Sequence, residues 1–219
     1  MAQTLHPSPF CRCLEEGMKM NFRRLWQYTL TVAMLMFLIG IAIDSTDVTT
    51  YTRQVRDCMA EGDYAGALRI GERSDKTDRQ LMMLRMEALR HEHLMGERLF
   101  GYPIVGEGKP LVGKGGDYEL CAYLIDRDLN RFAATLPKYY TVSKLLPRHY
   151  REALVLYNHL RANPVVVYHD NVMDTDFDDL QKQRRTYADK KAAQVAISRN
   201  YGGTYWYYYY YLNKFSANK

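Results

Sequence analysis

The chain has 219 residues, 47% of them hydrophobic and 25% charged, with a formal net charge of +5. That balance excludes a strongly basic nucleic-acid binder, and the length suffices for one domain with a real core. Four cysteines are too few for a disulfide framework, whereas the 19 tyrosines, crowded toward the end of the chain, demand burial.

Residues 1–22 carry Pro7, Pro9, Cys11 and Cys13 without hydrophobic periodicity, which predicts a disordered cytoplasmic stub. Met18 or Met20 serves equally well as the start, and a lone Cys-x-Cys makes no metal site. The apolar stretch Leu25 to Ile43 follows. As a helix it rises about 28 Å, close to the hydrocarbon thickness of a bilayer, so it reads as a transmembrane helix. Lys19, Arg23 and Arg24 precede it and Asp44 and Asp47 follow. This bias puts the N-terminus in the cytoplasm and residues 44–219 in the periplasm or outside the cell, a single-pass inner-membrane arrangement. A cleaved secretory signal is the competing reading, because the uninterrupted core Leu30 to Ile43 is short and Gly40-Ile41-Ala42 offers small residues for a peptidase. Either way residues 44–219 are exported.

The exported part reads as helical. Segments are expected over 48–60 and 64–73 with a break at Glu61-Gly62-Asp63. A long helix should open at the capping-box pair Thr77 and Gln80, bury Leu81, Leu84, Ala88 and Met95, and run to about Leu99 before Gly101 and Pro103 stop it. Further helices are expected over 118–138 and from Pro147 to before Pro164. Pro164-Val165-Val166-Val167-Tyr168 is the one stretch that looks extended. Cys58 and Cys121 either pair or act as small buried hydrophobes.

Three stretches imitate chemistry. Gly108 to Gly115 fits GxxxxGK, yet Gly115 stands where a P-loop needs Ser or Thr and no strand precedes it, so a mobile inter-helix loop over 101–117 is expected and no nucleotide. Asp174, Asp176 and Asp178 begin like a calcium loop, but Asp179 replaces its glycine and Arg185 its bidentate glutamate. A helix whose acids lie early and whose cations lie late, Lys182 to Arg199, accounts for them better. His91-Glu92-His93 lacks the spacing of a zinc helix, and His149, His159 and His169 form no usable set. No cofactor, metal or catalytic residue is expected.

Gly62-Asp63-Tyr64-Ala65-Gly66-Ala67-Leu68 resembles the turn and second-helix start of a tetratricopeptide repeat, and Tyr150-Arg151-Glu152-Ala153-Leu154 echoes it. Leu146 to Leu154, with Gly203-Thr204-Tyr205-Trp206-Tyr207-Tyr208, is similar to the C-terminal portion of an uncharacterised family of bacterial membrane proteins. That family implies no activity, but its multi-span members imply a shortened chain that keeps the last span and the tail. The expected fold is therefore all-α: one transmembrane helix and a TPR-like helical array. The expected function is a membrane-anchored, non-enzymatic protein-interaction module whose partner is another envelope protein. The alternatives are the soluble tail of a larger transporter or enzyme, and a glycan-binding domain. The candidate interaction surface is Tyr205, Trp206, Tyr207, Tyr208, Tyr209, Tyr210 and Tyr211. Gly202-Gly203 should let this tail turn back onto the domain's own helices.

Overall fold

A computed structural model describes the backbone of residues 9–212 and the side chains of 25–38 and 47–212. Cys11, Cys13 and the expected stub's side chains lie outside the described residues, as do the side chains of 39–43 in the expected span. The described residues are helical with no strand: α1 (Pro9–Ala60), α2 (Tyr64–Arg69), α3 (Arg79–His91), α4 (Met95–Arg98), α5 (Gly116–Ile125), α6 (Leu129–Thr135), α7 (Arg148–Leu160), α8 (Asn171–Thr186), α9 (Lys190–Tyr201) and α10 (Tyr205–Tyr211). The chain divides into two units, residues 1–49 and 50–219.

In the first unit, every large apolar side chain from Leu25 to Leu38 is 54–69% exposed. Thr29 and Thr31 donate their hydroxyls to the carbonyls of Trp26 and Tyr28, 2.9 Å each, so these polar groups are satisfied within the helix itself. Among the described residues no helix is long and apolar enough to cross a membrane. The expected transmembrane helix is thus not found there: Gln27, Thr29 and Thr31 dilute the described part, and the apolar end at 39–43 is outside it.

The second unit opens with the last turns of α1 and packs its helices around buried Leu81, Met86, Leu89, Leu120, Leu124, Phe132, Leu154 and Leu156. Acidic caps set the helix starts. Asp63, Asp78, Asp128, Asp170 and Asp189 each accept from a backbone amide in the first turn of the helix that follows. Asp78, not Thr77, caps α3, since its carboxylate reaches the Leu81 amide at 2.7 Å.

Three expected helices are shorter than their periodicity suggests. The segment expected to reach residue 73 ends at Arg69, because Ile70 turns extended and Gly71 has φ 60. Arg85 clasps this end, donating from Nη2 to the carbonyls of Ile70 (3.3 Å) and Gly71 (3.1 Å). The long helix from 77 to 99 breaks after His91, where His93 takes φ 56 and α4 restarts the chain. The 118–138 helix divides at Arg127, φ 59, with Asp128 capping α6. Each break carries a residue with positive φ, at Gly71, His93 and Arg127.

Pro164 to Tyr168 is not a strand, and Val165 and Val167 stand exposed while Tyr168 is buried. The two Tyr-x-x-Ala-Leu echoes fall on helices of six and thirteen residues, α2 and α7. Cys58 and Cys121 are both free thiols; Cys121 is buried.

Candidate functional site

The expected interaction surface lies mostly inside. Tyr205, Trp206, Tyr207, Tyr208 and Tyr211 are buried, and Tyr209 and Tyr210 are partly covered. The chain turns at Gly202 and Gly203, and Thr204 caps α10 by accepting from the Tyr207 amide at 3.1 Å. α10 docks on α7 through Glu152. Its carboxylate accepts from Tyr205 N at 2.7 Å, Arg148 Nε at 2.8 Å and His149 Nδ1 at 3.0 Å, and its carbonyl accepts from the Trp206 indole at 2.7 Å. His149 Nε2 accepts from the Phe100 amide at 3.3 Å, which puts the ring proton on Nδ1, facing Glu152. At the other end Arg127 donates to the Tyr208 carbonyl at 3.1 Å and lies over the Tyr208 and Tyr209 rings. Sequence reasoning missed both clasps. Their signals were a glutamate inside an apolar helix and the triplet Asp126-Arg127-Asp128.

A second polar hub sits on the first turn of α5. Asp117 Oδ1 accepts two phenols, Tyr140 at 2.6 Å and Tyr150 at 2.8 Å. Glu119 accepts Tyr139 at 2.6 Å and Tyr123 at 3.0 Å, with Lys138 3.9 Å away. Those phenols hold the Glu119 carboxyl below its ordinary value, Tyr139 most strongly. Burial, followed by the Asp117 hydrogen bond, pushes Tyr140 up, and burial pushes the Cys121 thiol up to about 12. A thiol so protonated is a poor nucleophile. Both carboxylates are engaged in holding the 136–140 turn and α7 against α5.

The GxxxxGK lookalike is a structural turn. Lys109–Leu111 forms a short 3₁₀ turn, and Gly108 donates to Asp126 Oδ1 at 2.9 Å. A Cβ on Gly108 would come within 2.1 Å of the Ala122 carbonyl oxygen, so close backbone packing requires that glycine. Lys114 is exposed, with its ammonium 5.2 Å from the centre of the Tyr118 ring. The Asp174 to Asp179 acids lie on α8, where Asp179 pairs with Lys182 at 2.8 Å and Asp170 is the cap, but the expected single helix divides after Thr186, so that Lys190, Lys191 and Arg199 fall on α9. Among the described residues no cluster of His, Cys, Asp and Glu could hold a metal ion. His91 stacks on Tyr64 at 4.0 Å, and His93 is exposed.

Among the surface hollows of the described residues is a groove between α3 and the start of α5. It has a volume of about 560 Å³ and is walled by Arg79, Gln80, Met83, Leu84, Glu87, Lys114 and Tyr118. Met83, Leu84 and Tyr118 are half-buried and form an apolar floor, while the charged residues rim it. The helical spacing explains this: 79, 80, 83, 84 and 87 share one face of α3, and the opposite face carries the buried Leu81, Arg85, Ala88 and Leu89. Arg90 approaches the same Tyr118 ring at 6.0 Å.

Over the described residues the fold and these sites define an all-helical domain whose internal acids hold helices together and whose surface carries a side-chain-lined groove. Residues 115–212, from the α5 hub through α10, match the model of a family of unknown function, DUF6057. No curated protein and no solved structure matches the chain.

Proposed function

We propose that this protein is a membrane-anchored helical interaction module, and that the α3–α5 groove receives a segment of another envelope protein. The groove carries this reading: half-buried Met83, Leu84 and Tyr118 give an apolar floor, and charged residues on the rim give orientation. The anchor is the segment Leu25 to Ile43. It is supported by the charge bias around that segment, by the bare apolar side chains from Leu25 to Leu38, and by threonine hydroxyls that need no water. The domain lies on the outer side of the inner membrane, with TPR-like helix pairing as the source of its groove.

The test is affinity capture from solubilised membranes, comparing the wild type with Leu84→Glu. Leu84 is half-buried, so this variant is first checked for an unchanged melting temperature. The wild type should retain a defined envelope protein that the variant loses. Equal recovery by both removes the groove from the reading. Protease added to cells with a permeabilised outer envelope and a sealed inner membrane should digest residues 44–219. Full protection would overturn the topology.

A further inference from the structure

Arg85 is 1% exposed, yet the only titratable side chains that face it among the described residues are the phenols of Tyr102 and Tyr51. Its guanidinium lies 5.2 Å from the centre of the Tyr102 ring. Nη2 is used on the two carbonyls at the end of α2, whereas Nε and Nη1 have no acceptor in the protein. A buried cation with no carboxylate beside it is costly, and two carbonyl dipoles offset only part of that cost.

A hollow of about 510 Å³ adjoins this residue, walled by Tyr51, Arg69, Gly71, Glu72, Arg73 and Ser74. Its one acid, Glu72, already pairs with Arg98. Arg69 and Arg73 are exposed on the rim. Gly71 lines the hollow, its carbonyl accepts from the Arg85 guanidinium, and it has no side chain to intervene. A Cβ there would lie 3.2 Å from Arg85 Nη2 and 3.0 Å from the Tyr51 ring. The hollow shares no residue with the α3–α5 groove.

We propose that this hollow binds a small oxyanion, a phosphate or carboxylate group, which Arg69 and Arg73 contact and whose charge the buried Arg85 balances from behind Gly71. The guanidinium fork suits such oxygens, and Ser74 adds a hydroxyl. The oxyanion comes either from a soluble ion or from a lipid headgroup.

The test uses the full chain in nanodiscs of phosphatidylcholine, alone or mixed with phosphatidic acid, melted at constant ionic strength in chloride, acetate or inorganic phosphate. A saturable rise in melting temperature with phosphate or acetate in phosphatidylcholine discs identifies a soluble ion as ligand. A rise confined to phosphatidic acid discs identifies a headgroup. In either case Arg69→Ala/Arg73→Ala, at exposed positions that leave the chloride melting temperature unchanged, should weaken the effect at least tenfold. Arg85→Lys, which keeps a cation behind Gly71, should retain most of the effect. No rise in any arm, or a rise that survives the double substitution, overturns the site and leaves Arg85 as a clasp for the end of α2.

Discussion

Glu152 is 1% exposed and supports three donors, two from its own helix and one from α10, so Glu152→Ala should be among the most damaging single substitutions in the domain. Two of those donors, the Tyr205 amide and His149 Nδ1, are themselves buried and would be left without an acceptor. An orphaned buried donor costs on the order of 1–3 kcal/mol, and removing one partner of a buried charged network typically costs about 3–5 kcal/mol. We therefore expect about 4 kcal/mol of destabilisation against a total of about 5–15 kcal/mol for a domain. Glu152→Gln keeps one acceptor oxygen for Tyr205 and His149 but turns an amide NH₂ toward the Arg148 donor, and should lose about 2 kcal/mol. Urea unfolding in a Trp26→Phe background isolates Trp206, whose indole hydrogen bonds to the Glu152 carbonyl and reports this junction directly. A loss below 1 kcal/mol for Glu152→Ala, with Trp206 emission unchanged, would refute the view that this carboxylate docks α10 on α7.

Truncation after Asn200 removes five buried rings and both of these clasps, and should cost several kcal/mol and leave a poorly cooperative domain that binds hydrophobic dyes. A truncated chain that melts as sharply and as high as the full one would count against this. Gly108→Ala forces a methyl into the Ala122 carbonyl and should cost at least about 1–3 kcal/mol, while exposed Lys114→Ala should stay within about 0.5 kcal/mol and ATP should stabilise neither protein. A nucleotide-dependent rise in melting temperature that Lys114→Ala abolishes would reverse that expectation. At alkaline pH the sign is fixed by raised values: Cys121 moves from 9.0 and Tyr208 from 10.0 to about 12 each, so the folded chain holds its protons longer than the unfolded one. Their stabilising contribution is intact below pH 9 and is lost as pH rises toward 12, at about 1.4 kcal/mol per group for each pH unit of its shift. Absorbance of tyrosinate and helical circular dichroism should therefore change together above pH 10. A smooth tyrosine titration near 10 with the helices intact would contradict the burial of these phenols.

Local sequence determined the helical class and most helix starts of this protein, because an aspartate one turn ahead of an apolar stripe satisfies free amides whatever packs on the helix later. It also determined that the tyrosine-rich end must be covered, since the burial of so many rings outweighs any local preference, and it placed the turn at Gly202-Gly203 that permits this. The helix ends were decided by tertiary contacts. Apolar periodicity runs through Ile70 and through Asp126-Arg127-Asp128, and only a guanidinium arriving from α3 or α10 docking on Arg127 makes a break there more stable than another helical turn. The partners of the buried acids were illegible for the same reason: a glutamate inside an apolar helix marks Glu152 as unusual, but the amide it accepts comes from Tyr205, 53 residues later. The α3–α5 groove was likewise illegible, since Leu84 was expected in the core with Leu81 and Ala88. Its place on the groove floor depends on which helix packs against each face of α3, and a linear pattern gives the faces but not their neighbours.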